Sequence, residues 1–126
     1  MVENFGDFLK RKRLDKEWSL RKFAEIIQIS PEYLSKIESG ERTAPSRAIL
    51  IRISEKLNLH EYEKSLIFDL AAQSKTPPSL ALDLVDYINE HPVIHKTLRL
   101  SKRETVCDEK WEVFANQIEQ DSKEEI

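Results

Sequence analysis

Glu32, Tyr33, Ser35 and Lys36 stand within five residues of one another. On a helix, at about 3.6 residues per turn, they share one exposed side. Between them they offer a carboxylate, a phenol, a hydroxyl and an ammonium, groups able to hydrogen-bond base edges in a DNA major groove. Lys36 can donate to guanine O6 and N7 or to a phosphate. Tyr33 can press its ring on a thymine methyl or a sugar, or reach a phosphate through its hydroxyl. Glu32 has two readings: an acid in a first helical turn supports the helix N-terminus, and a carboxylate can also accept from cytosine N4. Arg21, Lys22, Arg42 and Arg47 are placed to hold backbone phosphates. Glu38 suits a salt bridge or a helix-end hydrogen bond better than a DNA contact.

Other chemistry finds thin support. His91 and His95 are four apart, but no His-Glu protease signature surrounds them and two histidines do not define a metal site. Cys107 is the sole cysteine, so no internal disulfide and no Cys/His zinc cluster is expected. Gly6 and Gly40 are isolated, which excludes a glycine-rich phosphate loop. No catalytic residue, cofactor or metal is expected.

The elements that must position these groups follow from caps and spacing. Asn4 can cap a first helix carrying Phe5, Phe8, Leu9 and Leu14. The cluster Lys10–Arg13 on its last turns suits either a solvated helix C-terminus or phosphate contact. Ser19 can cap a second helix with Leu20, Phe23, Ala24 and Ile27 at helical spacing. Ala24 is small enough for two helices to meet there. Residues 28–30 make the turn. Ser30 caps the third helix, Pro31 fits its first position, and Leu34 and Ile37 face inward. Gly40 suits a left-handed stop. Ser46 can cap a fourth helix with Ile49, Leu50, Ile53 and Leu57, on which Arg47 and Arg52 are polar-face residues. A fifth helix over 61–72 offers Tyr62, Leu66, Phe68, Leu70 and Ala71.

Pro77 and Pro78 then bar helix continuation, which makes this stretch a linker or a sharp corner. The spacing predicts a first domain over 1–74, a linker over 75–79, a helical accessory region over 80–118 and a frayed polar tail over 119–126. Leu80, Leu84, Val85 and Ile88 mark one helix, ended by His91-Pro92. Val93, Ile94, Leu98 and Leu100 mark another. Asp108 can cap a last helix whose inner side holds Trp111, Phe114, Ala115 and Ile118. These apolar residues either cover a core or form a dimer interface.

Composition agrees with an all-α globular chain. Hydrophobic residues make up 40% of the 126 and charged residues 34%, which excludes a disordered class. The net charge of −3 opposes nucleic-acid binding, but its distribution does not. Residues 1–58 hold 12 Lys/Arg against 9 Asp/Glu, and residues 59–126 hold 8 against 14. The basic excess falls where the polar helix face falls. No apolar run approaches the ~20 residues of a membrane span, and the charges of residues 3–17 oppose a secretory signal. A reducing cytoplasm is the expected location.

Ser19, Phe23-Ala24, the run Leu34-Ser35-Lys36-Ile37-Glu38-Ser39-Gly40 and Pro45-Ser46 resemble the lambda-repressor/Cro-type helix-turn-helix domain, the XRE family, over about residues 5–72. The resemblance implies a five-helix DNA-binding domain followed by a C-terminal helical extension, with the third helix in the major groove of double-stranded operator DNA and binding as a homodimer. It implies Ser30, Glu32, Tyr33 and Lys36 as the base-facing set and puts Arg42 and Thr43 near the backbone. Two positions depart from the pattern: Leu20 stands where many relatives carry Gln, and Gln28 where many carry Gly. Residues 80–118 also resemble an accessory region in some regulators of mobile elements. Transcription regulation by promoter occupancy is therefore expected. The alternative is a DNA-binding antitoxin whose region 80–118 holds a toxin protein; a third reading is an adaptor that kept the fold and lost DNA affinity.

Overall fold

The computed structural model describes residues 3–75 and 77–124. Residues 1–2 of the expected first domain, Thr76 of the expected linker and residues 125–126 of the expected tail lie outside the described residues. Within them the chain is all-α, with no strand: α1 (Phe5–Asp15), α2 (Leu20–Ile27), α3 (Pro31–Ser39), α4 (Arg47–Lys56), α5 (Glu61–Gln73), α6 (Leu82–Glu90), α7 (Pro92–Arg103) and α8 (Asp108–Glu124). None of these helices is long and apolar enough to cross a membrane. The chain divides into two units, Met1–Tyr87 and Ile88–Ile126.

In the first unit, local chemistry starts most helices. Asn4 and Asp7 form a reciprocal capping box at α1, the Asp7 N–H donating to Asn4 Oδ1 at 2.8 Å. Ser19 accepts from Lys22 N and Ser30 from Tyr33 N, both at 3.1 Å, with Pro31 opening α3. Gly40 ends α3 at φ 87°. Ser46 occupies the N-cap position of α4, yet its hydroxyl makes no capping bond.

Packing then fixes the arrangement. α1 lies on α3 and α5, α2 on α3 and α4, and α4 on α5. Phe8, Leu9, Phe23, Ile27, Leu34, Ile37, Leu50, Ile53 and Ile67 are fully buried between them. Ala24 is fully buried too. Gly6 permits a close approach of α1 to α3: a Cβ there would stand 2.5 Å from the Glu38 carbonyl oxygen and 2.7 Å from that of Ile37. Those atoms are backbone at the end of α3, so they cannot swing aside.

Two expected core positions are instead exposed. Leu14 is turned out because Arg13, four residues after Leu9, takes the inward slot. Tyr62 is 73% exposed and lies against His60, while Ile67, Leu70 and Ala71 form the inner face of α5.

The first unit also extends past the two prolines. Ser74 Oγ accepts from Ala44 N (3.0 Å) and donates to the Ala71 carbonyl (2.7 Å). Ser79 N returns to the Ala72 carbonyl at 3.1 Å. Ala81 is buried and Leu82 packs on the core, whereas Leu80 is exposed. Small apolar Ala81 at the foot of α6 thus draws the chain back onto α4 and α5.

In the second unit, Pro92 opens α7 after His91, and α8 starts at Asp108, its first helical residue. Helix α8 continues to Glu124, so residues 119–124 are helical where the sequence predicts fraying. No residue of α7 or α8 is buried. Trp111, Phe114 and Ile118, expected on an inner side, are 38%, 54% and 55% exposed.

Candidate nucleic-acid interface

The site is built on the α2–turn–α3 segment. Helix α2 ends at Gln28, which adopts a left-handed conformation (φ 61°, ψ 47°). This conformation is strained for any residue with a Cβ, and it turns the chain so that Ile29 N reaches the Ala24 carbonyl at 3.0 Å. Arg52 supports the turn from α4: its guanidinium donates to the Ile27 carbonyl at 2.8 Å. That places a cation on a helix C-terminus, where the aligned peptide dipoles favour it. Stacking of Trp18 on Phe23, with ring centroids 5.6 Å apart, holds the start of α2.

The turn presents α3 with two unlike sides. Leu34 and Ile37 are buried and Tyr33 is half-buried against the core; Glu32, Ser35 and Lys36 are exposed. Ser30 is exposed at the head of the helix, its oxygen engaged by Tyr33 N. Leu20, Pro31, Glu32, Ser35, Lys36 and Glu41 line one shallow groove. The groove is shared by Lys36 and two carboxylates, and by an aliphatic side chain from the first position of α2. Leu20 occupies a position that departs from the family pattern, whereas Glu41 was not anticipated there, because contact across a loop leaves no periodic signal.

The basic residues fall into two groups. Arg21, Lys22 and Arg42 are exposed and make no ion pair among the described residues, and Thr43 is exposed beside Arg42. Lys10 is likewise without an ionic partner there and lies with Leu20, Ser35 and Ser39 along a second shallow groove. The other cations of the α1 cluster are engaged. Arg11 meets Glu3 through two hydrogen bonds of 2.7 and 2.9 Å. Lys12 bonds Glu63, and that bond holds the Glu63 carboxyl below the usual carboxylate range. Arg13 grips Glu38 with both ends of its fork, at 2.9 and 3.1 Å, and donates to the Trp18 carbonyl at 2.9 Å. Arg47, expected at a phosphate, instead meets Asp86 at 2.8 Å, because the chain folds back past Pro78 and brings α6 to it.

A buried, doubly bonded Arg13–Glu38 pair joins α1 to α3, and two tight left-handed residues frame α3. The arrangement is that of two helices joined by a three-residue turn, the second displaying a polar edge. Residues 9–64 match the helix-turn-helix family model. No curated protein and no solved structure matched the chain. A helix-turn-helix domain over these residues supports DNA binding and a transcription-regulatory role.

Proposed function

We propose that this chain binds a specific double-stranded DNA sequence in the cytoplasm and regulates transcription, repressing by occupying a promoter. Its first five helices act as a lambda-repressor-like, XRE-type domain. The single observation that carries this reading is the division of α3: Leu34 and Ile37 are sealed in the core while Glu32, Ser35 and Lys36 stay clear of it. A helix seated in this way can enter a major groove without disturbing its own packing.

Lys36, Glu32, Tyr33 and Ser30 face the bases. Lys36 donates to guanine; Glu32 accepts from cytosine and rejects other bases by leaving its charge unpaired. Tyr33, half-buried, contributes its outer ring edge. Arg21, Lys22, Arg42 and Thr43 hold the phosphates, joined by Lys10. Arg47 joins them only by giving up Asp86. A homodimer on two half-sites supplies the affinity that one short helix lacks.

Selection of bound fragments from random DNA would test binding and report half-site spacing together. Against the selected site, Lys36→Ala costs about 1–3 kcal/mol of discrimination. Lys22→Ala and Arg42→Ala weaken selected and random DNA alike, each lowering the salt slope by about one. Titration at several salt concentrations separates these outcomes. Unchanged sequence preference in the Lys36 variant would remove its base-reading role, and no DNA binding at low salt would remove the function.

A further inference from the structure

We propose that the second unit is a self-association element in which α7 of one chain lies against α8 of a second copy, and α8 against that copy's α7. Two observations carry this. The first is that neither helix has a buried residue, although both are amphipathic. On α7, Val93, Ile94, Leu98 and Leu100 share an arc; Val93, Leu98 and Leu100 are 68%, 42% and 46% exposed. On α8, Trp111, Phe114, Ala115 and Ile118 form a stripe at spacings of three and four, open along its length. A 12-residue helix is marginal in water unless a face is covered, and α7 and α8 do not cover one another.

The second observation is charge. Helix α7 carries Lys96, Arg99, Lys102 and Arg103 and no acid. Helix α8 carries Asp108, Glu109, Glu112, Glu119, Asp121 and Glu124 against two lysines. The excesses are equal and opposite, four positive against four negative. No ion pair joins the two helices among the described residues; Arg103 meets its neighbour Glu104 at 3.5 Å, and Lys96, Arg99 and Lys102 have no ionic partner there.

The charges border the apolar faces. Lys96 is three from Val93 and four from Leu100, and Lys102 is four from Leu98. Glu112 and Glu119 follow Trp111 and Ile118 along one edge of the stripe. A second copy satisfies both helices at once: each apolar face meets another, and each basic border meets an acidic one. The contact closes on itself, since what the first chain's α7 finds on its partner the partner's α7 finds on the first. Apolar burial supplies the affinity, while the charges set which helix meets which and disfavour α7 on α7 or α8 on α8.

The proposal gives the paired half-sites of the preceding section their molecular basis, but it is measured without DNA, so either can fail alone. Two exposed-surface variants test it by sedimentation: K96E/K102E and E112K/E119K. The parent chain is expected at about twice 14.8 kDa. Each variant alone, helical by circular dichroism, meets like charge at both contacts and sediments as a monomer. Their equimolar mixture meets opposite charge at both and sediments as a dimer, as does one chain carrying all four changes. A monomeric parent, variants that still dimerise, or a mixture that stays monomeric would each overturn the exchange. So would a variant that loses helical content and is not restored to a dimer by its partner variant.

Discussion

Glu38 sits on α3 with its backbone carbonyl against Gly6 and its carboxylate turned to α1. Its carboxylate receives both arms of Arg13, and the side chains are only 7% and 11% exposed respectively. Removing one partner of such a pair leaves the other charged and poorly hydrated, which costs about 3–5 kcal/mol. Glu38→Gln is therefore expected to lower the unfolding free energy by an amount near the bottom of that range, read from urea denaturation. Replacing both residues by Met is expected to cost less than the two single changes together. Equal and additive losses would show that the pair is not coupled. Lys36 and Glu32, two and six residues before Glu38 on the same helix, contribute nothing comparable to the fold: both are exposed and neither enters an ion pair among the described residues. On the proposed reading, base recognition and stability are thus divided between neighbours on a single nine-residue helix.

The turn between α2 and α3 carries strain at Gln28, one of four non-glycine residues with positive φ among the described residues. A left-handed conformation costs a residue with a Cβ about 1–2 kcal/mol, and glycine avoids it while losing more unfolded-state freedom, about 0.4–1 kcal/mol. Gln28→Gly is expected to raise stability by up to about 1 kcal/mol without altering DNA preference; a fall in the denaturation midpoint would show that the Gln28 side chain does something the backbone geometry hides. Such local features were legible in the sequence. Asn4, Ser19 and Ser30 act within three residues, and Gly40 stops α3 by its own conformation. The Ser46 cap failed because a cap needs an orientation that spacing alone does not set. What joins elements was not legible: Arg13 to Glu38, Arg52 to Ile27 and Arg47 to Asp86 each span 25 residues or more. Periodicity also overstated burial at Leu14 and Tyr62, since an apolar residue at a helical spacing faces inward only if a neighbour arrives to cover it. Pro77-Pro78 left a linker and a sharp corner both open, and the burial of Ala81 could be seen only in three dimensions.

For the whole molecule, two ion pairs of α1, Arg11 with Glu3 and Lys12 with Glu63, bear on the response to acid. The Lys12 hydrogen bond depresses the Glu63 carboxyl and the Arg11 hydrogen bond depresses that of Glu3. A carboxyl depressed on folding contributes stability that is present in full above its unfolded value, about 4.3, and is lost as pH falls through the lower folded value. Stability is therefore expected to be level near neutrality and to decline below about pH 4, with Glu63→Gln removing part of the decline. A pH–stability curve by urea denaturation checks this; an identical acid limb in the variant would exclude the α1–α5 pair as a cause. Charge is also unevenly shared along the chain, with the basic excess in residues 1–58 and the acidic excess beyond. Salt weakens the attraction of the first part for phosphate while leaving the proposed apolar contact between α7 of one chain and α8 of another largely intact.

The Gly6 contact has a consequence for how such a chain can change. Because only a hydrogen fits between α1 and the last carbonyls of α3, position 6 is closed to every other amino acid, and the seat of α3 is fixed from behind. The solvent-facing positions 32, 35 and 36 are under no such restriction. If these positions read DNA as proposed, new target preferences can arise there by single substitutions, on a frame that never has to be rebuilt.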